Sequence, residues 1–350
     1  MSYPELLPWY DINRREFPFR GTKDPYAVWI SEIMLQQTRT ESVVKFYTRF
    51  LSRFPDIVSL AEAAEQDVLK YWEGLGYYSR ARNLHKAARL ILTEYGGAFP
   101  DSYDRIRRLP GIGEYTAAAV SSIAFGLAYP AVDGNLTRVL SRLHGVRDDT
   151  NIPSVKRHIR DLAMQNIDTR RPGDWNQALM DLGATLCLPA VPACGTCPLK
   201  NRCSAFAEGD ADLLPVRSSA KPPVPVAVGV GIVTCRNRVL LLQRNKSLLH
   251  GLWTFILCEG DSRQEGMIQT LSDLGFSGSA CLYLEDARHV FTHRIWNMKL
   301  YHIPLPEAYP CQEGIWADKS QLESLPMPSA MKKAHTLARA LITEKGDASC

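Results

Sequence analysis

Apolar side chains recur at helical spacing through the first part of the chain. Val43, Val44, Tyr47, Phe50, Leu51 and Phe54 form one stripe. A second opens at Ser59-Leu60-Ala61-Glu62, which reads as a capping box, and continues through Val68, Leu69 and Trp72 until Gly74 and Gly76 break it. A third, with Ala87, Leu90, Ile91 and Tyr95, stops at Gly96-Gly97. The period then changes. PVRSSAKPPVPVAV, from Pro215 to Val228, has four prolines and no helical spacing, which marks a stiff linker. Beyond it, VAVGVGIVTCRNRVLLLQ gives two β-rich runs around Arg236-Asn237-Arg238, HVFTHRIWNMKLYHIPL alternates like a half-buried strand, and a last helix begins near Ser329. The pattern predicts a helical domain over 1–214, a linker over 215–225 and an α+β domain over 226–350.

Composition changes this picture little. A chain of 350 residues, 45% hydrophobic, has material for about two cores at ~150 residues per domain. The formal charge of +4 is spread along both halves, so any contact with nucleic acid must be local. No apolar run approaches a membrane span, and the start, MSYPELLPWYDINRREFPFR, lacks a cationic segment followed by a long apolar run. A soluble, cytoplasmic protein without a membrane partner is expected. Nine cysteines suit a reducing compartment better than a disulfide framework. Cys235, Cys258, Cys281, Cys311 and Cys350 are scattered and read as small hydrophobes or surface thiols.

The other four stand together in CLPAVPACGTCPLKNRC, as Cys187, Cys194, Cys197 and Cys203 at C-x6-C-x2-C-x5-C. Four thiolates this close imply a metal. Zinc accepts four sulfurs but favours two tight pairs, whereas the graded spacing suits a loop wrapped around one 4Fe-4S cluster. Lys200 and Arg202 lie on its last segment, within reach of phosphates. In LPGIGEYTAAAV, Gly111 and Gly113 precede a helix start and so offer close backbone approach and unpaired N–H groups to an anion. Twenty residues after Gly113, Asp133 precedes Gly134 and Asn135 at another helix start. Taken alone, each of these is an ordinary turn or cap.

Together, the L-P-G-I-G hairpin, the Asp at that distance and the four-cysteine loop resemble the helix-hairpin-helix DNA glycosylase superfamily in its iron-sulfur branch. The resemblance runs from Leu7 to Cys203. DPYAVWISEIMLQQTRT and WEGLGYYSRARNL are similar to the A/G-specific adenine glycosylases, the MutY family, rather than to endonuclease III. The second domain resembles that family's Nudix-like module, notably at LLQRNKSLLHGLWTF and around Phe291-Thr292-His293.

The resemblance implies removal of adenine from 8-oxoguanine:adenine or G:A pairs in duplex DNA. Such chemistry needs an acid for the departing base and a carboxylate for the oxocarbenium-like sugar. Glu32, among Trp29, Ile30, Ile33, Met34 and Leu35, should be held protonated by burial and give its proton to adenine N7. Asp133 should stay ionised beside the sugar. By the same resemblance Tyr115 and Asn135 orient the sugar, the water or these carboxylates, and Tyr115 stands where the lyase branch has a nucleophilic lysine. Gln37 and Tyr77 match wedge positions that fill the gap left by a flipped base. Phe19 and Arg20 match pocket-lining positions, with Phe where many relatives have Trp.

EGDSRQEGMIQTLSDLGF lacks the glutamate run of a working Nudix hydrolase. The module is therefore expected to read the opposite strand, with Phe291, Thr292 and His293 at 8-oxoguanine; relatives commonly have Ser in place of Thr292. The expectation is a monofunctional adenine glycosylase, monomeric and associated with a bacterial nucleoid. Two alternatives remain open: a bifunctional glycosylase/lyase for oxidised pyrimidines, and a non-enzymatic iron-sulfur DNA-binding protein.

Overall fold

A computed structural model describes residues 3–219, 222–276, 280–308 and 314–342. Cys311 and Cys350, two of the cysteines read above as isolated thiols, lie outside these residues. The chain divides into two compact units, one of residues 1–63 with 79–219, the other of 64–78 with 220–350.

The first unit is helical: α1 (Leu6–Asn13), α2 (Pro25–Leu35), α3 (Thr40–Arg53), α4 (Ile57–Glu62), with α5 (Glu65–Tyr71) falling in the other unit, then α6 (Ser79–Tyr95), α7 (Tyr103–Arg107), α8 (Glu114–Phe125), α9 (Gly134–His144), α10 (Pro153–Asn166), α11 (Pro172–Thr185) and α12 (Ser204–Glu208). The stripe of α3 buries Val43, Tyr47 and Phe50. The second stripe differs from its sequence reading. Asp56, not Ser59, is the N-cap; its carboxylate accepts the Ser59 N–H at 2.8 Å and Ser59 returns the bond to the Asp56 backbone. That helix ends at Glu62, and Val68 and Leu69 belong to the separate α5. Ala63 and Ala64 both take extended backbone, which divides the run. In the centre of the unit, Leu136, Val139, Leu140 and Leu143 of α9 pack with Trp175, Ala178, Leu179 and Leu182 of α11 and with Leu6 and Tyr10 of α1. Each fully enclosed side chain of this size contributes about 2 kcal/mol, so α9 and α11 form a rigid platform for whatever their ends carry.

The second unit is a mixed sheet. β1 (Val224–Cys235), β2 (Arg238–Gln243), β3 (Trp253–Thr254), β4 (Ile256–Glu259), β5 (Leu282–Val290), β6 (Arg294–Leu305) and β7 (Gly314–Ala317) run in the order β3-β2-β1-β6-β5, with β4 on β1 and β7 on β2. β1 pairs parallel with β6 from Val224↔Arg294 to Cys235↔Leu305, and every other pairing is antiparallel. The alternating stretch is β6, with Trp296, Met298 and Leu300 buried, and the turn at Arg236-Asn237 joins β1 to β2. α13 (Gln264–Asp273) covers one face, and α14 (Lys319–Ser324) and α15 (Lys332–Leu341) the other. The segment 64–78 joins this unit through long-range polar bonds: Trp253 Nε1 donates to Gln66 Oε1 at 3.2 Å, Lys70 Nζ to the Leu325 carbonyl at 3.2 Å and the Tyr78 hydroxyl to the Met327 carbonyl at 3.3 Å. No local pattern announces such bonds.

Candidate active site

Three helix ends of the first unit supply the candidate chemistry. α2 is capped by Asp24, whose carboxylate accepts the Tyr26 and Ala27 N–H groups, and it is buried from Tyr26 to Met34. Glu32 is therefore enclosed, with 6% of its surface exposed. The Tyr115 hydroxyl, one residue into α8, donates to Glu32 Oε2 at 2.7 Å. Burial pushes the Glu32 carboxyl above its ordinary range, opposed by the Tyr115 bond and the Arg20 guanidinium and supported by the Asp133 charge. The direction expected from its apolar neighbours is thus met, and the field of Asp133 at Glu32 puts the two carboxyls in one electrostatic neighbourhood. Burial drives the Tyr115 hydroxyl well above its usual value as well.

Asp133 caps α9. Its Oδ1 accepts the Leu136 N–H at 2.7 Å and its Oδ2 the Asn135 amide at 3.1 Å. Burial raises its carboxyl from the usual carboxylate range, against the pull of these donors and of Arg138. An exposed cap would not show this rise; the cage of donors is what favours the anion here. Arg138 extends the chain of bonds: it donates to Asn135 Oδ1 at 2.9 Å, to the Gly183 carbonyl at 2.7 Å and to the Cys187 carbonyl at 2.8 Å. α11 comes close enough to α9 that a Cβ on Gly183 would lie 2.8 Å from Asn135 Cβ, so only glycine leaves Asn135 in place.

Residues that periodicity did not single out sustain this arrangement. Asn176 is fully buried in α11, accepts the Ala131 N–H at 2.8 Å and donates to the Tyr129 carbonyl at 2.9 Å and to Ser122 Oγ at 2.9 Å. It thereby fixes the segment leading into Asp133. Arg20 donates to Gln177 Oε1 and to Asp181 Oδ1, and Asp181 has no solvent exposure. The signal available in the sequence was three polar residues, Asn176, Gln177 and Asp181, set among the apolar residues in the middle of this helix. Phe19 is buried between Phe17, stacked at 5.2 Å, and Tyr47, edge-on at 5.6 Å.

Gly111 has φ 77°, and a Cβ there would lie 2.6 Å from Asn83 Cβ. Gly113 is the extended N-cap of α8 without a side-chain cap bond, leaving backbone donors at that helix start. Glu114, the first residue of α8, is paired with Arg160. Gln37 and Tyr77 are both exposed and both left-handed, at φ 56° and 47°. Left-handed backbone in bulky residues concentrates where a side chain is held for use.

Cys187, Cys194, Cys197 and Cys203 line one cavity with Arg142 and Leu199, and all four are free thiols. Arg142 is 1% exposed; its guanidinium meets the Leu188, Pro189 and Leu214 carbonyls and Cys187 Sγ at 3.2 Å. Arg142 thereby ties the Cys187 sulfur to the backbone that follows α11. Burial pushes the Cys197 thiol up to about 11, and it raises the Cys194 and Cys203 thiols as well. Among the described residues no three His, Cys, Asp or Glu side chains converge on a single-ion site. Arg202 is engaged by Glu5 at 3.0 Å and Lys200 by the Gly195 carbonyl at 3.0 Å, so both cations of this loop have protein partners.

In the second unit, Phe291, Thr292 and His293 form the tip joining β5 to β6. Phe291 packs edge-on against Trp296 at 5.0 Å and His289 at 4.6 Å, while Thr292 and His293 are exposed. The Thr292 hydroxyl lies 2.7 Å from that of Tyr77. Near the Nudix-like helix α13, the Asp261 carboxylate is taken up by Arg263.

A model of the HhH-GPD superfamily of base excision DNA repair proteins matches residues 30–164, and a NUDIX domain model matches residues 229–337. The adenine DNA glycosylase of Rattus norvegicus is 32% identical over 94% of this chain and 76% of its own length. That of Buchnera aphidicola is 33% identical over 86% of this chain and 86% of its own. Among solved structures, a thermostable thymine-DNA glycosylase is 31% identical, covering 59% of this chain and 95% of its own at a TM-score of 0.55. With the helical hairpin and the carboxyl pair, these likenesses define an enzyme of the helix-hairpin-helix glycosylase class carrying a Nudix-like α+β domain. The chain belongs to the adenine DNA glycosylase family.

Proposed function

We propose that this chain excises adenine from duplex DNA where it is mispaired with 8-oxoguanine or guanine, acting as a monomer at the nucleoid of a bacterial cytoplasm and leaving an abasic site. The observation that carries the reading is Glu32, enclosed, raised above the usual carboxylate range and held by Tyr115, in the field of the caged Asp133. With the base flipped from the stack, Glu32 gives its proton to adenine N7 as the N-glycosidic bond breaks. The bonding electrons leave with adenine, Asp133 steadies the cationic sugar, and water adds at C1′ with loss of a proton. Gln37 is assigned to the gap in the stack, Gly111 and Gly113 hold a backbone phosphate, and Arg20 lines the base pocket; in the second unit Tyr77 is assigned to DNA. A phenol at position 115 forms no imine, so no strand cleavage accompanies excision. Denaturing gels of duplexes with adenine opposite 8-oxoguanine, adenine opposite G, and a thymine glycol test this. Breaks confined to the two adenine duplexes, and only after alkali, are expected; breaks at thymine glycol without alkali would favour the bifunctional alternative.

Cys187, Cys194, Cys197 and Cys203 would hold the 4Fe-4S cluster, whose chemistry here would be to tie the segment after α11 into one fold and neutralise the four thiolates. Protein made anaerobically with ample iron is expected to bind about four irons per chain and absorb near the blue edge of the visible. Stoichiometric zinc under those conditions would refute the assignment.

Phe291, Thr292 and His293 are assigned to 8-oxoguanine on the opposite strand. Thr292→Val keeps the shape and removes one hydroxyl, so the ratio of excision rates for 8-oxoguanine:A over G:A should narrow by about fivefold, the worth of one hydrogen bond. An unchanged ratio would show that the lesion is read elsewhere.

A further inference from the structure

Asp181 is the one carboxylate with no solvent exposure in the region around Arg20, and sequence spacing gave it no role. Its Oδ2 accepts the Arg15 backbone N–H at 3.1 Å. Its Oδ1 accepts Arg15 Nε at 2.9 Å and Arg20 Nη2 at 3.1 Å. The other arm of Arg20 donates to Gln177 Oε1 at 2.5 Å, and Gln177 is itself held by the Tyr10 hydroxyl at 2.7 Å. One turn of α11 thus presents an amide and a carboxylate to the two arms of one guanidinium. That fork geometry defines where Arg20 points, because a planar guanidinium satisfied at both arms has little freedom left. Arg20 in turn acts on the site: its charge reaches both Glu32 and Tyr115.

We propose that Asp181 is a positioning residue for excision: its enclosed carboxylate fixes the Arg20 guanidinium against Gln177, at the position assigned above to the base pocket. The inference rests on the excision reading above. Asp181 offsets part of the charge of Arg15 and Arg20, so it also limits how strongly Arg20 draws Glu32 toward ionisation. The charged or titratable groups that act on Glu32 are Tyr115 from α8, Asp133 at the cap of α9 and Arg20 from the segment before α2. Of these, only Arg20 is held by Asp181.

Asp181→Asn keeps the size and one acceptor but removes the charge. Arg20 then acts on Glu32 uncompensated, and the ionised form of Glu32 gains. The alkaline limb of the single-turnover excision profile should move to lower pH, and the rate at neutral pH should drop about tenfold. Affinity for the mispaired duplex should change less than about twofold, since the residue is enclosed and touches no DNA. In an Arg20→Gln background the same substitution should have no further effect on the limb, as expected when one residue acts through the other. A slower variant with an unmoved limb, or additive effects in the double variant, would overturn the proposal and leave Asp181 a structural residue. Direct carbon-13 titration of the Glu32 carboxyl should report the same downward shift without substrate. That measurement separates a failure here from a failure of the excision reading, which would show as wild-type protein releasing no adenine. If Asp181→Asn does not fold, Arg20→Lys serves: the charge stays but cannot span both acceptors, so the rate should fall about tenfold, as expected for Asp181→Asn, and wild-type activity in Arg20→Lys would overturn the proposal.

Discussion

Glu32→Gln is expected to abolish adenine release while leaving affinity for the mispaired duplex close to that of the wild type. The amide fits the same enclosed space on α2, and its oxygen can still accept from the Tyr115 hydroxyl that now bonds Glu32 at 2.7 Å. It cannot give up a proton. Loss of a general acid alone costs about 10²- to 10⁴-fold, which places the variant at or below detection in single-turnover assays. The wild-type rate should fall as pH rises through the raised value of Glu32, because the neutral carboxyl is the active form. The same shift has a stability sign. The neutral carboxyl is favoured in the folded state, so its contribution is complete below the ordinary unfolded value and is lost as pH rises through the folded one. Glu32→Gln should therefore flatten the decline in thermal stability as pH rises from the ordinary carboxylate value through the raised one. Turnover by the variant at wild-type rates would remove Glu32 from the mechanism.

Tyr115→Lys should add an activity. The side chain at this position reaches Glu32 Oε2 and lies in the field of Asp133, beside the expected place of the sugar. A lysine there is pulled two ways: burial lowers its pKa and frees the lone pair, while the two carboxyls favour the cation. Even a minor free-amine fraction can attack C1′, displace adenine, and form a Schiff base that undergoes β-elimination. The variant should nick the strand without alkali and be trapped on DNA by borohydride, at the expense of simple hydrolysis because Glu32 loses its phenol partner. Equal trapping of wild type and variant would mean that another amine is the nucleophile.

Much of the candidate site could be read along the chain because its signals are local. Asp133 before Gly134-Asn135 caps α9 as expected, since the bond it accepts comes from Leu136, three residues on. The four cysteines line one cavity because their spacing lets one loop enclose it. One local reading needed correction. The capping box belongs to Asp56 and Ser59, a shift of three residues that periodicity alone cannot detect when several polar residues qualify. The burial that raises the Asp133 carboxyl, by contrast, has no local signal, because it depends on the helices packed around it.

What the sequence by itself determined is the set of elements and the chemistry at their ends. Helical and two-residue periods fix which face of an element is buried, and caps and glycines act within about four residues, so both are written in contiguous stretches. Which ends meet was decided by tertiary structure. Tyr115 finds Glu32 across 83 positions, Asp181 holds Arg15 across 166 and Tyr77 meets Thr292 across 215. Such pairs follow from how apolar faces pack. A stripe specifies that a face is covered, not by which partner, and a polar residue inside it, such as Asn176 or Asp181, acquires its role only from the groups that the covering helix brings.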